Sequence, residues 1–91
     1  MKLTDLLLIL DSNFNNRTIT HCKKEGYEDA IMYTNKDKTI SINGNTCNAL
    51  KLFILVKNDV TMLYLQGANP YNPIGVPVED IDTITIYDET D

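Results

Sequence analysis

Residues 49–67 read ALKLFILVKNDVTMLYLQG, the most apolar region of the chain. Two apolar runs, Leu50–Val56 and Val60–Leu65, flank the triplet Lys57-Asn58-Asp59. Short apolar runs bounded by turn residues fit strands buried on both faces, so the stretch reads as a hairpin of central strands. The competing reading is a helix from Asn48 to Lys57, because β-branched and aromatic content over 50–56 is modest. The hairpin makes the chain β-rich, and its neighbours must then supply the rest of a sheet.

They do so on both sides. TISIN (39–43) is a short strand with Ile40 and Ile42 inward. The following NGN (43–45) is the strongest hairpin signal, since Asn-Gly suits the two positive φ angles of a type I′ turn. Upstream, YEDAIMYT (27–34) alternates Tyr27, Asp29, Ile31 and Tyr33 against Ala30 and Met32. RTITHC (17–22) sets Ile19 and His21 against Thr18, Thr20 and Cys22, again a strand pattern. KKEG and NKDK read as turns. Downstream, GANPYNPIGVP (67–77) holds all three prolines and two of the four glycines. That composition predicts irregular structure. VED (78–80) reads as one helical turn, and DTITIYDE (82–89) as a closing strand with Ile84 and Ile86 inward.

The chain opens on KLTDLLLILDSN (2–13), read as a Leu-rich helix. Thr4 or Asp5 is the expected N-cap and Asn13 the expected left-handed exit. A buried strand is the rival reading, because five consecutive apolar residues show no period. The elements together predict an α+β fold: one N-terminal helix packed on an antiparallel sheet of five to seven short strands, in a single domain spanning 1–91.

Composition agrees with a folded domain. The chain has 91 residues, 43 % hydrophobic and 23 % charged, with only seven Pro and Gly. A core of that size forms without staples. Two cysteines, Cys22 and Cys47, are fewer than a secreted disulfide scaffold carries, which predicts thiols in a reducing cytoplasm. The run Leu6–Leu10 lies between Asp5 and Asp11 and lacks a cleavage site, so no signal peptide is expected. No stretch approaches the roughly 20 apolar residues of a membrane span. Asn, Thr and Ile each occur ten times and Ala three times, a bias that AT-rich coding produces.

Catalytic patterns do not emerge. His21 and Cys22 are adjacent, but neighbouring strand residues point to opposite faces, so they cannot form a nucleophile–base pair. Three Cys and His residues fall short of a structural zinc site. The late carboxylates lack the alternation and central glycine of a calcium loop. There is no phosphate-binding glycine loop and no nucleophile elbow. The expectation is a protein that is not an enzyme, with no metal and no cofactor. Among the five tyrosines, Tyr71 is the interface candidate, because it lies in an irregular loop between two prolines.

Charge is the informative feature. All eight basic residues precede position 58, where six acids accompany them for a net +2. Residues 58–91 hold seven acids and no base, a net −7. The closing VEDIDTITIYDETD (78–91) alone contains six carboxylates. A field of one sign steers oppositely charged partners, and it opposes direct binding to nucleic acid, which needs a basic patch. The same acidity also serves to protect a terminal strand and keep the chain soluble.

MKLTDLLLILDSN at one end and VEDIDTITIYDETD at the other resemble the small accessory proteins of phages and prophages of low-GC bacteria. The resemblance covers 27 of the 91 residues, and some small acidic proteins of that pool are anti-CRISPR proteins. It implies a protein-binding inhibitor working in the cytoplasm of a host bacterial cell. The expected partner is the basic surface of a nucleic-acid-binding protein, met by Glu79, Asp80, Asp82, Asp88, Glu89 and Tyr71, with no membrane involved. The alternative is a homo-oligomeric phage structural or assembly protein in which hairpin 50–65 pairs across a two-fold axis.

Overall fold

The structure, a computed structural model, describes residues 1–20, 29–68 and 73–88. Its elements are α1 (Leu3–Asn13), β1 (Thr18–Thr20), β2 (Ala30–Thr34), β3 (Lys38–Ile42), β4 (Asn45–Cys47), β5 (Lys51–Lys57), β6 (Val60–Gln66), β7 (Ile74–Pro77), a 3-10 turn (Val78–Asp80) and β8 (Ile84–Asp88). The expected α+β architecture, with one N-terminal helix packed on an antiparallel sheet, is the one the chain adopts. The larger sheet has five strands in the order β1-β2-β5-β6-β7, and three more form a second sheet, β4-β3-β8.

Residues 49–67 form the hairpin and not the helix. Lys57 pairs with Val60, leaving a two-residue turn in which Asn58 and Asp59 have φ of 52° and 63°. Both strands lie inside the sheet, with β2 beyond β5 and β7 beyond β6. Tyr33, Leu52, Ile54, Leu63 and Leu65 share one face through this register and fill the core, with half-buried Ile31 packed against them. Each such buried side chain contributes roughly 1.5–3 kcal/mol. Met32, Phe53, Leu55, Met62 and Tyr64 share the opposite face, which is apolar and only partly covered.

The helix lays a stripe on that core. Leu6, Leu10 and Phe14, four residues apart, are buried, while Leu8 on the far side is 67 % exposed. Both expected caps are corrected. The N-cap is Lys2, two residues before Thr4 and three before Asp5, with no side-chain cap bond; Thr4 and Asp5 lie in the first turn. Its start is held from outside: the Met1 ammonium donates to the carbonyls of Ile81 (2.7 Å) and Val78 (3.4 Å). Asn13 is the last helical residue, and its Nδ2 donates to the Ile9 carbonyl at 2.8 Å. The exit is extended at Phe14 (φ −125°), which carries that ring into the core, 6.2 Å from the Tyr33 ring.

The Pro-rich segment is also corrected: Ile74–Pro77 is a strand on the sheet edge. The two-residue hairpin bonds Lys57 to Val60, so alternate residues of β6, Leu63 and Leu65 among them, turn their amides to β7. Val76 and Ile74 receive those bonds, and the nitrogens of positions 73, 75 and 77 face outward. Prolines sit at two of the three, where a missing N–H costs nothing. Gly75 is required for a different reason. A Cβ there would lie 2.6 Å from a ring carbon of Tyr64, its cross-strand partner, so that ring lies across the glycine.

The second sheet grows from the hairpin signal at 43–45. Ile42 pairs with Asn45, and Asn43 and Gly44 take φ of 52° and 82°, as a type I′ turn demands. Ile40 and Ile42 are buried, with Ile84 and Ile86 of β8 packed beside them. The β3–β4 arm leaves the larger sheet after β2 and rejoins it at β5. Asn35, 6 % exposed, fastens the two crossings. Its N–H donates to the Leu50 carbonyl, its Nδ2 to the carbonyls of Lys38 (2.8 Å) and Ala49 (2.7 Å), and its Oδ1 accepts from the Lys38 N–H (3.0 Å).

Candidate functional site

The acidic residues of the last third fall into two groups. Glu79 and Asp80 occupy the 3-10 turn and Asp82 follows it, all three exposed. The turn is fixed because Val78 and Ile81 are buried beneath it, which forces the intervening carboxylates outward. Asn43 holds the segment from the other side. Its Oδ1 accepts from the N–H of Asp82 (2.7 Å) and Thr83 (3.1 Å), and its Nδ2 donates to the Asp80 carbonyl (2.9 Å).

Asp59, at the tip of the β5–β6 hairpin, joins this end. It lines a shallow cavity of about 280 Å³ with Glu79, Met1, Leu3, Val60, Thr61 and Val78. None of Asp59, Glu79, Asp80 and Asp82 is in an ion pair among the described residues. The chain segments that build this end also carry the Met1 ammonium, Lys2 and Lys57.

Asp88 stands apart. It ends β8 while Asp82 precedes its start, so the strand separates them by about 13 Å or more. The β3–β8 register sets Lys38 opposite Asp88, and Lys38 Nζ lies 2.9 Å from Asp88 Oδ1. The Asp88 side chain remains 75 % exposed, so this pair contributes at most about 1 kcal/mol. Tyr71, Glu89, His21 and Cys22 lie outside the described residues.

Three features of this surface were beyond sequence reasoning. The Lys38–Asp88 pair needs a register between strands 50 residues apart. Asp59 reaches Glu79 only because the hairpin tip folds onto the 3-10 turn. The NGN motif announced the turn at Asn43 but carried no sign that its side chain grips residues 80–83.

Elsewhere one cluster of ionisable groups is structural. The buried Tyr33 hydroxyl donates to Asp11 Oδ1 at 2.6 Å, and Arg17 Nε lies 3.3 Å from the same hydroxyl and 3.5 Å from Asp11. Burial, then the bond to Asp11, pushes the Tyr33 phenol above its usual range. The trio ties α1 to β2, and a phenol held protonated is no nucleophile. Burial also raises the Cys47 thiol, which keeps it protonated. No three His, Cys, Asp or Glu side chains gather as metal ligands among the described residues. Among the described residues no helix is long and apolar enough to cross a membrane.

Comparison with known protein families, with curated proteins and with solved structures gave no match.

Proposed function

We propose that the chain is a non-enzymatic interaction protein of a phage or other mobile element. It binds and inhibits a host nucleic-acid-processing complex, in the manner of anti-CRISPR proteins, by occupying a basic groove with carboxylates. The observation that carries this reading is the unpaired acidic end built from Asp59, Glu79, Asp80 and Asp82, in a region of the chain with seven acids and no base. Exposed carboxylates of this kind raise association rates, while apolar contacts supply lasting affinity. Asp88 adds to the field more weakly because Lys38 shares its charge.

The test is competition. Purified CRISPR effectors and other nucleic-acid enzymes from low-GC bacteria are loaded with a fluorescent DNA duplex, and the protein is titrated in. Displacement that weakens steeply with salt, and at least tenfold on Asp80→Lys with Asp82→Lys, supports the reading. Displacement insensitive to salt and to both substitutions, or none from any complex, refutes it.

A homo-oligomeric assembly role is the second reading, and one observation favours it. Met32, Phe53, Leu55, Met62 and Tyr64 form an apolar face apart from the core. Hairpin 50–65 has sheet neighbours on both sides, so association across a two-fold axis would use this face and not its backbone. Sedimentation velocity over a range of concentrations decides: a stable dimer that Phe53→Glu dissolves favours assembly.

A further inference from the structure

Each strand at a sheet edge carries a row of backbone groups, and their supply differs sharply among the four edges. On β7 the outward positions are 73, 75 and 77, two of them proline, so Gly75 offers the sole outward N–H. On β4 only Thr46 faces out, because Asn45 and Cys47 bond to β3. On β1, Thr18 and Thr20 face β2, leaving Ile19 among the described residues. Asn16 continues that pairing with its side chain, accepting from the Thr34 N–H (2.9 Å) and donating to the Thr34 carbonyl (2.8 Å).

β8 is the exception. Asn43 donates its N–H to the Thr83 carbonyl at 2.9 Å, which fixes the phase of the β3–β8 ladder. Ser41 then bonds to Thr85 and Thr39 to Tyr87, and the N–H and C=O groups of Ile84, Ile86 and Asp88 turn to the open side. No described strand pairs there. This edge has three consecutive outward positions, no proline and two half-buried isoleucines at its rim. Such a row is a ready template for another strand.

Charge selects the occupant. Asp82 and Asp88 stand at the two ends of β8, Asp82 in no ion pair among the described residues and Asp88 sharing its charge with Lys38 but still exposed. A second copy paired antiparallel about Ile86 would set its Ile84 opposite Asp88 and bring its Asp82 close to the same Asp88. Like charges so placed are destabilising. A segment with Lys or Arg at its ends meets opposite charge instead.

We propose that β8 is a strand-addition site for an extended basic segment of a partner protein. The segment has apolar residues at alternate positions, which continue the row of Ile84 and Ile86, and basic residues at its ends, which face Asp82 and Asp88. Main-chain bonds give affinity and the alternate side chains give specificity. The proposal rests on the reading above that the partner is basic, and it names the element and the backbone mode of contact.

The test uses the full-length ¹⁵N-labelled protein and the acetylated peptide Lys-Thr-Val-Thr-Val-Thr-Lys. A second peptide carries N-methyl groups at two alternate residues, with one version for each set of alternating amides. A third peptide replaces both Lys by Glu. The first peptide is expected to slow amide exchange at Ile84, Ile86 and Asp88 at least tenfold. One of the two methylated versions should bind about tenfold more weakly than the parent, because hydrogen bonds along one edge are blocked. The Glu peptide should bind more weakly still. Equal binding of parent and both methylated peptides would overturn strand addition while leaving charge-driven docking intact. Absence of peptide binding alongside DNA displacement in the competition assay has the same meaning. Equal binding of the Glu peptide at the edge would overturn the basic occupant. Concentration-dependent protection of the three amides without peptide would assign the edge to a second copy and refute the proposal.

Discussion

Replacing Asn35 by alanine should cost about 3 kcal/mol. Asn35 is buried, and it makes three side-chain hydrogen bonds where the β3–β4 arm leaves and rejoins the larger sheet. Alanine would orphan the Ala49 carbonyl, whose residue is 4 % exposed, at about 1–3 kcal/mol. The two bonds to Lys38 are only partly buried, so water recovers part of their loss, leaving about 0.5–1.5 kcal/mol each. A chain of this length has a total stability of about 5–14 kcal/mol, so the loss is a large fraction. Urea unfolding followed by far-ultraviolet circular dichroism reads it. With a slope of about 2 kcal/mol per molar, the midpoint should fall by about 1.5 M. Asn35→Asp sharpens the test because it keeps the shape and the acceptor for the Lys38 N–H. It turns two donated bonds into contacts between a carboxylate and carbonyls, so it should be worse than alanine at neutral pH. Protonation restores a donor, which raises the folded pKa of the new carboxyl above the unfolded value of about 3.9. Stability relative to Asn35→Ala is then greatest at acid pH and declines as pH rises through that window. A midpoint shift below about 0.3 M for the alanine variant, or an aspartate variant as stable as alanine at pH 7, would refute the staple.

Gly75→Ala should destabilise by about 1 kcal/mol by displacing the Tyr64 ring, and the cost should vanish in a Tyr64→Leu background; additive costs would show that the ring contact is not the cause. Asn43→Gly keeps the left-handed turn but loses three side-chain bonds to residues 80–83. It should cost about 1–3 kcal/mol and speed amide exchange at Asp82 and Thr83, whereas unchanged exchange there would contradict the latch. Because the folded Tyr33 phenol releases its proton above its unfolded value of about 10, stability intact below that pH drains as pH rises beyond it. Tyr33→Phe should flatten this alkaline loss in urea midpoints taken from pH 8 to 11, and an equally steep loss would sink the assignment.

The turns were the most legible part of the chain. Asn43-Gly44 and Asn58-Asp59 both supply the positive φ that a two-residue hairpin demands, a requirement local to those residues. Alternation at Ile40/Ile42 also gave the buried face correctly, since side chains in a strand repeat every two residues whatever the partner. The N-terminal caps misled because the Met1 ammonium and the burial of Phe14 set the ends of α1, and both depend on distant residues. Residues 74–77 misled because proline vetoes a strand only where its nitrogen faces a neighbour, and which way it faces is a matter of register.

The acidic site was legible as composition and not as geometry. Seven acids and no base after residue 57 define a sign of charge from sequence alone. Only the fold divides them, drawing Asp59 to Glu79 across the hairpin tip and placing Asp88 against Lys38.

Local chemistry therefore determined the helix, the hairpins and the charge of this protein, because backbone sterics, side-chain period and ionisation act within a few residues. The tertiary structure alone decided that the described strands split into two sheets, that β8 keeps an edge with no described partner, and which of the described carboxylates stand unpaired. Those outcomes depend on contacts between residues tens of positions apart, whose free energies exist only once the chain has closed around its core.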